Sequence, residues 1–192
     1  GELMPYEYPV VKAYEMMSYF EGALAYYEVT GEERYLQIVE KFADAVRATD
    51  ITIIGCAGCT HELFDHSVVK QTEETEPLAI MQETCVTVTW MKYCSQLLRL
   101  TGERVFADCI EQSFYNAYLG ALNTEEKRCS YVDKKYVREG NDLSTLVDIF
   151  LPFDSYSPLL PGKRGDKIGG MQDLEDNSYY GCCACIAGAG VG

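Results

Sequence analysis

The chain has 192 residues, 47% of them hydrophobic, which is room for one ordinary domain with a real core and too apolar for wholesale disorder. Sixteen Lys and Arg stand against thirty Asp and Glu, a formal net charge of −14, so neither a nucleic-acid backbone nor an anionic membrane surface is held by bulk attraction. No apolar run reaches the roughly 18 residues of a membrane span. The opening Gly-Glu-Leu-Met-Pro has neither a basic n-region nor an apolar h-region, so no signal peptide is visible and a cytoplasmic, reducing location is expected. It does not read as a natural start, and Ala187 to Gly192 breaks off within the opening of a helix. Residues 1–192 are therefore expected to form a single partial domain whose flanking parts are missing.

From Ala13 the apolar residues fall at 13, 16, 17, 20, 23, 24 and 27, which predicts a helix over 12–29 with one buried face. Thr30-Gly31 ends it, since glycine suits a left-handed C-cap. A second helix over 33–48 carries Tyr35, Ile38, Val39, Phe42, Ala45 and Val46 on one side. Ile51 to Ile54 is short and β-branched, Gly55 to Gly58 is a turn, and the acidic stretch 65–77 reads as a loop. The next helix, over 84–99, spreads Val86, Val88, Trp90, Met91 and Tyr93 around its circumference, the mark of a helix buried on several sides. It stops at Thr101-Gly102-Glu103, and a helix over 104–121 follows, with Phe106, Cys109, Ile110, Phe114, Ala117, Tyr118 and Ala121.

Thr30-Gly31-Glu32 and Thr101-Gly102-Glu103 lie 71 positions apart (101 − 30), so the repeating unit is a helical hairpin joined by a TG turn. The expected fold class is mostly α, with helical hairpins forming part of an (α/α)6 toroid; six such units would need about 430 residues. From Asn123 to Gly181 the helical period is lost. Ser130 to Asp133 and Leu146 to Phe150 read as short strands within a long loop punctuated by Pro152, Pro158 and Pro161.

Nine cysteines, an odd count from which two tight groups stand out, favour metal or thiol chemistry in a reducing compartment over a disulfide framework. Cys182-Cys183-Ala-Cys185 precedes a small-residue stretch. If a helix starts there, its free N–H groups lower a thiol pKa and make a nucleophile or a soft metal ligand; the alternative is small buried cysteines at a tight crossing. Glu83-Thr84-Cys85 opens the most buried helix, and with the later cysteines it supplies a Glu and several Cys for tetrahedral zinc. With only two histidines in the chain, a zinc site here is Cys-dominated. Glu62, after a Gly-rich turn and beside apolar residues, is either an exposed loop residue or a partly desolvated general acid. Cys56-Ala-Gly-Cys59 has thioredoxin spacing but no βαβ pattern around it, which leaves two loop thiols or a second metal site. The fifteen tyrosines are core and helix-face residues that can also stack on sugars.

Five segments occur in order: Val11-Lys-Ala-Tyr-Glu-Met-Met-Ser18, the Tyr-Glu-Val-Thr-Gly turn at 27–31, Gly-Cys-Ala-Gly-Cys-Thr-His-Glu-Leu-Phe at 55–64, Glu-Thr-Cys at 83–85 and Cys-Cys at 182–183. Together they resemble the catalytic region of glycoside hydrolase family 127, the β-L-arabinofuranosidase family, and its relative family 146. The resemblance covers nearly the whole chain and the later half of that family's helical toroid, and the Glu-x-Cys and Cys-Cys pairs are its most specific part. It implies zinc held by Glu83, Cys85, Cys182 and Cys183, with Cys182 also the nucleophile and Glu62 the acid/base. It implies a retaining glycosidase that releases L-arabinofuranose or a related sugar through a thioglycosyl intermediate. Its partner is a carbohydrate, with no nucleic acid or membrane, and no pattern points to an oligomeric state. Three positions depart from the family pattern: Tyr180 stands for a third cysteine, Lys12 for a sugar-binding His, and Ala184-Cys-Ile186 for a proline-rich stretch. The rival reading is a non-catalytic, zinc-stapled helical module that binds a protein, which needs only the hairpins and the cysteines.

Overall fold

The computed structural model describes residues 3–74, 80–122, 128–131, 147–150 and 182–190. After a single 3-10 turn at Pro5–Glu7 come α1 (Ala13–Thr30) and α2 (Glu33–Thr49), then β1 (Thr60–His61), α3 (Ser67–Glu73) and β2 (Met81–Gln82). They are followed by α4 (Thr84–Thr101), α5 (Arg104–Gln112) running on into a π segment (Ser113–Tyr118), β3 (Arg128–Tyr131), β4 (Val147–Phe150) and α6 (Cys182–Ala189). The chain is mostly helical, and its two hairpins, α1–α2 and α4–α5, are arranged as in a segment of an (α/α) toroid. Among the described residues no helix is long and apolar enough to cross a membrane.

Both hairpins turn as the repeat predicts. Gly31 and Gly102 sit in the left-handed region at φ 69° and 71°, and each returns its N–H to a carbonyl four residues back, Tyr27 and Leu98. A β-carbon is disfavoured at such angles, which is why a glycine ends each helix. The Thr30 and Thr101 hydroxyls donate to the carbonyls of Tyr26 and Leu97, and each accepts the N–H of the glutamate two residues on.

Helix α4 is the axis of the packing. It lies against α5, α6, α1 and the π segment, and eleven of its eighteen residues are buried, from Thr84 through Leu97. Trp90 and Tyr93 are completely covered, and the Tyr93 hydroxyl donates to the Val39 carbonyl of α2 at 2.9 Å. Phe42 stacks on Phe20 and meets Phe64 and Tyr93 edge-on, so one aromatic cluster joins both hairpins. Burying a phenylalanine ring stabilises the fold by roughly 1.5–3 kcal/mol in transfer free energy.

Two expectations are corrected. Within 65–77, read as loop, lies α3. Its N-terminus is held by Asp50, whose Oδ1 accepts the N–H groups of Asp65, His66 and Ser67 at 2.9, 2.8 and 3.2 Å. The cap is supplied from fifteen or more residues upstream, so no local capping signal exists. The helix expected over 104–121 changes to π geometry at Ser113, where the Ser113 hydroxyl reaches the Gly55 carbonyl at 2.7 Å. The two expected strands pair antiparallel as β3 and β4, Arg128 opposite Phe150. The rest of the expected long loop over 123–181 lies outside the described residues.

Candidate metal and catalytic centre

The site forms where the starts of α1, α4 and α6 meet. Glu83 is the N-cap residue of α4, but its side chain makes no cap bond to its own helix. The carboxylate instead accepts the Cys85 thiol, Sγ to Oε2 3.2 Å. Cys183, in the first turn of α6, places its sulfur 3.8 Å from that of Cys85. All three residues are buried, and their donor atoms lie within 4.8 Å of one another. Gly190 lets α6 sit this close to α4, for a β-carbon there would stand 2.9 Å from the Val88 side chain.

The spacing fits zinc. Two sulfurs about 2.3 Å from a tetrahedral ion stand about 3.8 Å apart, and a carboxylate oxygen at about 2.0 Å stands about 3.5 Å from a sulfur. The observed separations are 3.8 and 3.2 Å. Burial, then the neighbouring Cys183 and Glu62, push the Glu83 carboxyl up to about 7, although the Cys85 hydrogen bond and Lys12 act the other way. Two thiols and a carboxyl crowded together out of solvent are a donor set that a dication stabilises.

Glu62 reaches the same place from the loop before α3. β1 and β2 pair in parallel, Thr60 opposite Met81 and His61 opposite Gln82, which sets the next residues, Glu62 and Glu83, side by side. The Glu62 carbonyl accepts the Ala13 N–H at the start of α1, and its carboxylate is hydrogen-bonded and ion-paired to the Lys12 ammonium. The Glu62 side chain is 30% exposed, so it opens to solvent while Glu83 does not. The fold thus brings Glu62, Glu83, Cys85 and Cys183 together. α6 begins at Cys182, whose side chain lies outside the described residues, as do those of Cys185 and Tyr180.

Two further residues of the 55–64 segment, not expected among the site residues, neighbour the site. His61, at φ 53°, holds Nδ1 3.9 Å from a Glu83 carboxylate oxygen. Cys56 is fully buried with its sulfur 3.7 Å from the Glu83 carbonyl. The pairing of residues 60–61 with 81–82 places His61, and two-residue strands leave no periodicity to read. Cys56 and Cys59 lack the lowered thiol that a thioredoxin-type pair carries. Cys56 faces Glu83, Cys59 faces the Asp65 carboxylate at 3.6 Å, and burial pushes their thiols up to about 12 and about 11.

Comparison with curated proteins and with solved structures gives no significant match. A family model, the beta-L-arabinofuranosidase GH127 catalytic domain, matches residues 6–138. That stretch holds both hairpins together with Glu62, Glu83 and Cys85, and ends before α6. The chain belongs to the GH127 catalytic-domain family, a family of glycoside hydrolases.

Proposed function

We propose that the chain carries the centre of a retaining glycosidase that releases L-arabinofuranose or a related sugar from a glycan. In this reading Glu83, Cys85, Cys182 and Cys183 hold zinc, Cys182 is the nucleophile and Glu62 the acid/base. The observation that carries it is the buried Glu83–Cys85–Cys183 triad at zinc spacing, with Glu62 beside it, in a chain of this family. Bound zinc would keep the ligating thiols deprotonated at neutral pH.

Cys182 attacks the anomeric carbon as the glycosidic C–O bond breaks, and Glu62 gives its proton to the departing oxygen. Glu62 then takes a proton from water, which displaces the Cys182 sulfur and leaves the anomeric configuration as it began. The solvent opening at Glu62 suits this exchange, and Lys12 stands where it contacts the Glu62 carboxylate from the start of α1. Residues 1–192 make up the later half of the toroid on this reading, and further hairpins complete the sugar pocket.

The test uses the chain with its flanking sequence and aryl L-arabinofuranosides. Glu62→Gln slows natural glycosides strongly, slows the first step with an aryl leaving group far less, and is partly rescued by azide. Cys182→Ser loses both steps with every leaving group, because a hydroxyl is a far weaker nucleophile at neutral pH. Mass spectrometry of a trapped intermediate places the sugar on Cys182. An adduct on a carboxylate, or an inverted product, overturns the thiolate mechanism; zinc binding without sugar release favours the non-catalytic module.

A further inference from the structure

Lys12 stands beside Glu62 and is held there by backbone as well as by charge. The Ala13 N–H donates to the Glu62 carbonyl at 2.6 Å and the Phe64 N–H to the Val11 carbonyl at 2.8 Å. Lys12 and Leu63 therefore lie opposite each other in a short antiparallel bridge, which fixes the start of α1 against the loop that carries Glu62. Across this bridge the Lys12 ammonium donates to Oε1 of the Glu62 carboxylate and forms an ion pair with it. Glu15, in the first turn of α1, holds an oxygen 3.6 Å from the same nitrogen. The Lys12 side chain is 48% exposed and that of Glu62 30%, so the pair contributes little to the stability of the fold. Its effect falls on how the carboxylate is presented. An ammonium has three donors and no acceptor, and the better acceptor of a carboxylic acid is the oxygen without the proton. While Lys12 donates to Oε1, the proton of a protonated Glu62 therefore sits on Oε2.

Resting on the glycosidase reading, in which Glu62 is the acid/base, we propose that Lys12 is its positioning residue: it holds Oε1 and so makes Oε2 the oxygen that carries the proton in both steps. In the first step the Oε2–H bond breaks as the proton passes to the departing glycosidic oxygen. The carboxylate left behind is the form that pairs with Lys12 as an ion. In the second step Oε2 takes a proton from the water that displaces the Cys182 sulfur, and Oε1 stays on the ammonium. Lys12 gives up no proton and forms no covalent bond in either step. It restrains the rotation of the carboxyl group that would turn Oε2 away from the sugar. Misplacing a reacting group by about 1 Å costs on the order of a hundredfold in rate.

The experiment compares Lys12→Met, Lys12→Arg and Glu62→Gln, in the chain with its flanking sequence, on aryl L-arabinofuranosides of graded leaving-group ability. Lys12→Met lowers kcat/KM by roughly tenfold to a hundredfold for the poorest leaving groups and by no more than about twofold for the best, which need little protonation. With the best leaving groups kcat reports the second step; it falls in Lys12→Met, and azide raises it again by attacking the intermediate without base help. Lys12→Arg keeps the charge and the donors and recovers most of the loss. Placed on top of Glu62→Gln, Lys12→Met costs little more, because both changes act through one carboxyl group. An equal loss for every leaving group, a full additive loss in the double variant, or Lys12→Arg no better than Lys12→Met overturns the proposal. Absence of leaving-group dependence in Glu62→Gln overturns the acid/base reading of Glu62 and the role of Lys12 with it. Such a dependence in Glu62→Gln without one in Lys12→Met overturns the role of Lys12 alone.

Discussion

Helices α1 and α4 have the same length, the same TG ending and nearly the same left-handed glycine, yet they occupy different environments. Advancing 71 positions converts Tyr19 into Trp90 and Lys12 into Glu83. Tyr19 is 75% exposed and Trp90 is completely covered. Lys12 and Glu83 are both N-cap residues, and both come to the same place, Lys12 on the Glu62 carboxylate and Glu83 in the buried triad. The turn grammar sets the backbone of each hairpin, and side-chain composition decides which helix becomes the interior one. On the proposed reading, function collects at the shared end, where one helix start supplies a cation and the other a buried carboxylate and thiol.

The comparison breaks most directly at its matched aromatic pair. Trp90→Ala should lose about 3–5 kcal/mol of stability in urea denaturation, while Tyr19→Ala stays within about 0.5 kcal/mol. Equal losses would mean that the two helices are equally buried in solution.

The segment between the hairpins gives a smaller effect. Asp50→Ala removes the acceptor for three backbone N–H groups and should cost about 1–3 kcal/mol. Burial raises the Asp50 carboxyl above its ordinary range despite the hydrogen bonds from Thr49, Ser67, Asp65 and His66. A raised folded value means that the folded state holds the proton longer than the unfolded chain. Its contribution is therefore full below the unfolded carboxylate range and is lost as pH rises through the folded value. Asp50→Asn should flatten that part of the stability–pH curve, and an unchanged curve would remove Asp50 as its source.

Smaller or similar in size is Gly58→Ala. Gly58 holds φ 96°, and an added β-carbon would stand 2.5 Å from the Leu63 carbonyl oxygen. The substitution should cost about 1–3 kcal/mol and lower the melting temperature. Because the displaced loop carries Glu62, catalytic turnover should fall by a larger factor than folded fraction. A loss of turnover no greater than the loss of folded protein would detach this loop from the site.

Much of this was legible in the residues themselves. Apolar spacing marked the four long helices, and the paired T-G-E turns marked the repeat, because both are local properties of backbone and side chain. Glu83-x-Cys85 and Cys182-Cys183 stood out as chemistry, and three of those four residues have described side chains that form the triad. What stayed hidden depends on contacts made through space. The Asp50 cap that starts α3 and the two-residue pairing that sets Glu62 beside Glu83 each join residues from different elements. Neither leaves a period or a motif in either partner.

The central claim is that the start of α4 and the start of α6 build one sulfur-rich zinc centre. Zinc X-ray absorption on the metal-loaded protein measures it most directly. Sulfur neighbours at about 2.3 Å and an oxygen near 2.0 Å are expected, with one sulfur lost and zinc content lowered in Cys85→Ser. A shell of nitrogen and oxygen alone, or an unchanged shell and stoichiometry in Cys85→Ser, would contradict it.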